Sequence, residues 1–147
     1  MRERFLFPVF LVLALAGLAL TWSQNLAYFG PGSGPGAMAD FLRDTVVNPG
    51  ARSIAFDILI VGWAASIWMV VEGRRRRMRW VWLYPLLGWG GAMAFTFPLF
   101  LAMRERALRT PPEIEGRLGT VDGVGLGLVS AVVLFLLALG IRAAGLI

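Results

Sequence analysis

Residues 54–106 decide the fold: IAFDILIVGWAASIWMVVE (54–72), GRRRRMRW (73–80) and VWLYPLLGWGGAMAFTFPLFLAMRER (81–106). Two apolar runs, Ile54–Val71 and Val81–Met103, flank the five arginines Arg74, Arg75, Arg76, Arg77 and Arg79. A hydrocarbon core about 30 Å thick takes roughly 20 apolar residues in a helix, so each run is long enough to cross it. The stretch predicts a membrane hairpin whose arginine-rich tip belongs in the cytoplasm.

Outward from the hairpin, two further spans are expected, Phe5–Trp22 and residues 123 to about 146. Pro8 lies near the start of the first span, where a helix tolerates proline. The basic start MRER followed by an apolar run also resembles a secretory signal. Leu20 and Trp22 suit cleavage poorly, so an uncleaved first span is expected. Residues 30–36, GPGSGPG, form a breaker-rich linker. After it, Met38, Phe41, Leu42 and Thr45/Val46 recur at helical spacing, with Asp40, Arg43 and Asp44 opposite. That pattern predicts a short amphipathic helix over residues 37–47, lying on the outer leaflet and stopped by Asn48-Pro49-Gly50. Ser53 is then placed to cap the second span, and Pro111-Pro112 to end any helix running past the third. The predicted class is an all-α polytopic membrane helix bundle, one membrane domain of four transmembrane helices plus a short amphipathic loop helix.

Composition agrees. The 147 residues are 58% hydrophobic and only 16% charged, against about 25% charged in soluble domains. The net charge of +5 comes from arginine alone. Those arginines lie at the ends of apolar runs, which fits topology and membrane lipids rather than nucleic acid. Without cysteine or histidine the chain has no thiol nucleophile, no Ser-His-Asp triad and no His or Cys metal site. No metal site is expected, and no cofactor is identified by any motif.

Both termini are expected in the cytoplasm of a cell inner (plasma) membrane. With both termini inside, the cytoplasmic side holds Arg2, Arg4, Arg74–Arg77, Arg79 and Arg142, and the opposite side Arg43, Arg52, Arg104, Arg106, Arg109 and Arg117. Eight arginines against six is a narrow margin, and the cluster after Glu72 decides it. Small residues four apart, Gly123/Gly127/Ala131, Gly88/Ala92 and Gly62/Ser66, allow close helix packing, either within the bundle or against a membrane-protein partner or second copy.

Several motifs together, Ser53-Ile54-Ala55-Phe56-Asp57, Glu72-Gly73-Arg74-Arg75, Met78-Arg79, Trp82-Leu83-Tyr84, Phe97-Pro98-Leu99-Phe100-Leu101 and Arg104-Glu105-Arg106, resemble the bacterial family catalogued as domain of unknown function 2834. The resemblance covers roughly Asn48 to Leu108 and, more loosely, the first span. It implies a small integral membrane protein of three or four spans and carries no activity. The fourth span lies outside it.

Chemistry has few places to reside. Asp57 stands inside apolar sequence, where an acid costs on the order of 3 kcal/mol and is a functional candidate; its ordinary alternative is an interfacial ion pair with Arg52 or Arg104. With a turn near Arg76, Asp57 falls level with Phe95 and Thr96, and Gln24, Asn25, Asp57, Thr96 and Arg104 form a candidate ligand vestibule. Glu72, the second candidate acid, has Arg75 and Arg76 at helical ion-pair spacing. Arg74–Arg77 and Arg79 are a topology signal or a lipid-headgroup site. Pro98 is expected to kink the third span. Trp63, Trp68, Trp80, Trp82 and Trp89 belong to packing or the interfacial belt, and Trp63, Trp68 and Trp89 could stack a hydrophobic ligand. The expected function is an accessory or structural membrane subunit, or a binder of a lipid-like small molecule. The alternative is a membrane enzyme acting on a lipid or isoprenoid through a carboxylate, or a proton-coupled carrier.

Overall fold

The computed structural model describes residues 5–109 and 116–145, so Pro111-Pro112 and the arginines of the MRER start lie outside the described residues. Six α-helices follow one another: α1 Leu6–Phe29, α2 Ala37–Asp44, α3 Pro49–Arg75, α4 Leu83–Leu87, α5 Met93–Leu108 and α6 Thr120–Ala143. A single π-helical turn, Gly88–Ala92, joins α4 to α5. Four helical runs, Leu6–Phe29, Pro49–Arg75, Leu83–Leu108 and Thr120–Ala143, are long and apolar enough to cross a membrane. The all-α class and the amphipathic loop helix are as the sequence predicts.

The helix ends differ from the expected ones for local reasons. α1 continues to Phe29 because no breaker intervenes before Gly30-Pro31. α3 starts at Pro49, ahead of Ser53, because the Asn48 side chain accepts the Ala51 N–H at 2.9 Å and Pro49 takes the first helical position. The same Asn-Pro pair therefore ends the loop and begins a helix. At its other end α3 closes in a Schellman motif: Met78 N–H donates to Gly73 C=O at 2.9 Å and Arg77 N–H to Arg74 C=O at 3.0 Å. Arg77 takes the left-handed position there, with φ 50°.

The third apolar run does not cross as one rod. Tyr84 and Phe100, sixteen residues apart, would be about 24 Å apart along a straight helix; their rings meet edge to face at 5.2 Å. A methyl at Gly88 would stand 2.7 Å from Thr96 Oγ1. The chain reverses at Ala92, whose backbone is extended (φ −160°, ψ 114°) and 6% exposed. α4 and α5 thus form a helical hairpin that enters and leaves at the same end of the bundle. From Ala92 to Arg104 it is about 18 Å deep, little more than half of a ~30 Å core. Irregular backbone at such depth is tolerated where protein buries it, as here.

Contacts along the other helices fix their directions. α1 is antiparallel to α5: the Arg106 guanidinium lies over the Phe7 ring at 5.9 Å, and Gly17 touches the Ala94 carbonyl. That carbonyl has no helical donor because Pro98, four residues on, lacks an N–H. Only a glycine lets the α1 backbone reach it, in a Cα–H···O contact. α3 runs parallel to α5, with Gly62 beside Trp89 and Met93, Trp68 edge-on to Phe97 and Phe100, and Glu72 bonded to Arg104. α6 is antiparallel to α3, through Arg74–Asp122, Trp63–Ser130 and Phe56–Gly140.

This arrangement corrects two expectations. Because the third run folds back, α6 descends where it was expected to return, and Phe5 and Gly145 stand at opposite ends of the bundle. Arg104, Arg106 and Arg109 likewise join Arg74–Arg77 and Arg79 at one end. The buried core lies at that end, where Met69, Val81 and Phe100 pack with Met78, Trp82, Tyr84, Met93 and Phe97. Gly62/Ser66 and Gly88/Ala92 serve this internal packing. A methyl at Gly123 or Gly127 would meet nothing within 4 Å among the described residues.

Candidate functional site

The arginine-rich end holds a layer of three buried acids, Glu72, Glu105 and Asp122, exposed 7%, 7% and 3%. A buried carboxylate is tolerable only when charges and donors surround it, and each of these is surrounded. Asp122, in the first turn of α6, accepts Arg74 Nε at 3.0 Å on both oxygens, Arg74 Nη2 at 2.8 Å and the Trp82 indole N–H at 2.8 Å. It also accepts the N–H of Gly119, the N-cap of its own helix, at 3.0 Å. One side chain thereby ties together α6, the end of α3 and the start of the re-entrant hairpin.

Glu72 accepts Arg104 Nε at 2.8 Å and Arg76 Nε at 3.1 Å. Arg104 also reaches Glu105 at 3.3 Å and lies 5.6 Å over the Trp68 ring, so it joins α3 to α5 by charge and by cation–π contact. Arg76 is the neighbour that pairs with Glu72, as the spacing allows; Arg75 is exposed. Glu72 and Asp122, bonded to Arg104 of α5 and Arg74 of α3, act as clamps between helices, while Glu105 bonds Arg104 on its own helix. Around them, Arg75, Arg77, Arg79, Arg106, Arg109 and Arg117 pair with no carboxylate among the described residues.

The expected vestibule is not assembled. Arg104 is bound to Glu72, fifteen residues or about 22 Å along α3 from Asp57. Arg52, the other expected partner of Asp57, donates instead to Val46 C=O at 2.9 Å. Thr96 is fully buried inside the hairpin and bonds Ala92 C=O at 3.3 Å. Gln24 is exposed and donates to Ser23 at 3.2 Å; Asn25 is half-buried on the next position. The vestibule assumed a third helix running antiparallel to α3 from the tip; α5 runs parallel to it. Asp57 itself is exposed and, alone of the described acids, has no hydrogen-bond or ion-pair partner: Asp40 pairs with Arg43 and Asp44 accepts Tyr28 O–H.

The tryptophans do not share a ligand-stacking face either. Trp63 donates to Ser130 at 2.9 Å, Trp89 to Ser66 at 3.0 Å, and Trp68 packs on Phe97 and Phe100. Asp122 was missed by the sequence reading. Its only local signal is an acid three residues past a glycine at a helix start, which marks a cap and no more. Among the described residues no group of three or more acids could hold a metal ion.

No curated protein and no solved structure is significantly similar to the chain. One family model matches, over residues 9–106; the match takes in α1 to the end of the re-entrant hairpin and leaves α6 outside, as the sequence motifs do. The chain belongs to the family described as protein of unknown function DUF2834.

Proposed function

We propose that the protein is a non-catalytic accessory or structural component of the cell inner (plasma) membrane, held with its arginine-rich end in the cytoplasm against anionic lipid headgroups. The charge distribution carries this reading. Among the described residues, Arg74–Arg77, Arg79, Arg104, Arg106, Arg109 and Arg117 lie at one end of the bundle, and Arg43, Arg52 and Arg142 at the other. Arg2 and Arg4 precede α1 in the sequence and lie outside the described residues. The margin that was narrow for a straight third span becomes wide once that span folds back, and the positive-inside rule then puts the α1 start in the cytoplasm and the α6 end opposite. Juxtamembrane arginines near anionic lipid contribute about 1 kcal/mol each. The non-catalytic part rests on the buried acids being engaged with arginines: both Asp122 oxygens accept from Arg74, and one oxygen of Glu72 accepts from Arg76 and Arg104.

The test compares thermal stability in nanodiscs of phosphatidylcholine with and without phosphatidylglycerol. Stabilisation by the anionic lipid, reduced by salt and by joint substitution of Arg75, Arg77 and Arg79 with glutamine, is expected; indifference to lipid charge would remove the headgroup role. The enzyme or carrier alternative has one observation in its favour, that Asp57 has no ion-pair partner among the described residues. It predicts an activity lost in Asp57→Asn.

A further inference from the structure

A hairpin that reaches only part-way leaves space beneath it. Along α3, the stripe Asp57–Val61–Trp68–Glu72 lies on one side of the helix at 100° per residue. Its upper members face α5: Trp68 meets Phe97 and Phe100, and Glu72 meets Arg104. Asp57 lies three turns below Trp68, past the point where α5 begins. Burial changes at the same level. Ala65, Met69 and Glu72 are buried, whereas Ile54, Ile58 and Val61 on the same side are 64%, 54% and 57% exposed.

The same break occurs on α1. Its α5-facing stripe, Phe7, Ala14 and Gly17, continues downward as Thr21 and Asn25, with Asn25 three turns below the fully buried Ala14. Measured from the hairpin tip, Thr21 and Asn25 lie about 6 and 12 Å down α1 from Gly17, and Asp57 about 7 Å down α3 from Gly62. Three polar side chains on two helices therefore occupy one layer under the roof formed by Gly88–Ala92. None has a hydrogen-bond partner among the described residues. Further down, α1 meets α2, whose Phe41 packs edge-on to Tyr28 at 5.4 Å.

We propose that this space is a binding site for one lipid-like molecule with a hydrogen-bond-donating head, a hydroxyl or an amine, entering from the leaflet opposite the arginines. The head meets Asp57, Asn25 and Thr21, and the tail lies against Ile54, Ile58 and Val61. Ordinary acyl chains offer these three groups nothing, and polar groups in apolar surroundings need partners. From Gly17 to Tyr28 the space is about 16 Å deep, half of what a membrane-spanning helix needs. A partner's transmembrane helix therefore does not fit under the roof; a short amphiphile does. The site stands apart from the arginine end, and its failure leaves the proposed orientation untouched.

The test uses the full chain in phosphatidylcholine nanodiscs with tritiated dodecanol, dodecylamine and dodecyl methyl ether, the last having no donor. Saturable binding of one alcohol or amine per protein is expected, with the preferred head identifying the ligand class. The ether, and either donor probe with Asp57→Leu, should bind at least about tenfold more weakly, the loss of a hydrogen bond to a charged group. Val61→Trp, which fills the wall and leaves the acid, should block all three probes. Equal partitioning of the three into protein-containing and empty nanodiscs overturns the proposal. So does unchanged affinity in Asp57→Leu, or a dimer that Asp57→Leu dissociates, which would give the space to a second copy.

Discussion

Gly88→Ala distinguishes a folded-back third run from a straight one by the sign of its effect. In a continuous helix, replacing glycine by alanine stabilises by about 1 kcal/mol through backbone entropy. In the hairpin, the added methyl would stand 2.7 Å from Thr96 Oγ1 and 2.9 Å from the Met93 methyl and sulfur. Met93 can yield, since its thioether is flexible. Thr96 cannot yield easily: it is fully buried and bonded to Ala92 C=O. Overpacking of this kind costs about 1–3 kcal/mol, so after the propensity gain the net expectation is a destabilisation of up to about 2 kcal/mol. Equilibrium unfolding in detergent reads the change, with Gly90→Ala as the control. A methyl at Gly90, on the hairpin tip, would meet nothing within 4 Å, and that variant should be neutral or slightly more stable. A Gly88→Ala protein more stable than the parent by about 1 kcal/mol, the gain of a continuous helix, refutes the fold-back.

Three further outcomes follow from the same geometry. Gly17→Ala should weaken α1–α5 packing by about 1–3 kcal/mol or more, because the methyl would meet the Ala94 carbonyl, a backbone group held by its own helix; detergent unfolding measures it. Asp122→Asn should cost about 2–3 kcal/mol in the same assay, near the lower end for a broken buried pair because Arg74 is 37% exposed and regains water. Arg77→Gly should raise stability by about 1 kcal/mol, since φ 50° suits glycine and strains arginine; no gain would mean that the side chain's own contacts outweigh that strain.

Hydropathy makes the helices legible because it reports length and apolar content, and both survive in the structure. It carries no direction. A largely apolar run of 26 residues, Leu83–Leu108, looks the same whether it crosses once or doubles back. The clue lay in residues 88–92, GWGGA, three glycines in five positions between Pro85 and Pro98; such interruptions mark discontinuous membrane helices. Every misplaced site residue traces to that one reversal: Arg104 moves to Glu72, Thr96 into the hairpin, and Asp57 is left with open space. The Glu72–Arg76 pair was readable because it is local to one helix. Arg74–Asp122 was not, since no sequence pattern links residues forty-eight apart.

The chain has no cysteine, so single cysteines report side directly. In right-side-out and inverted membranes treated with an impermeant maleimide, Arg79→Cys and Arg109→Cys, at the two ends of the re-entrant segment, should label from the same, cytoplasmic side, and Gly145→Cys from the other. Labelling of positions 79 and 109 from opposite sides would mean that the third run crosses the bilayer once, and would contradict the account.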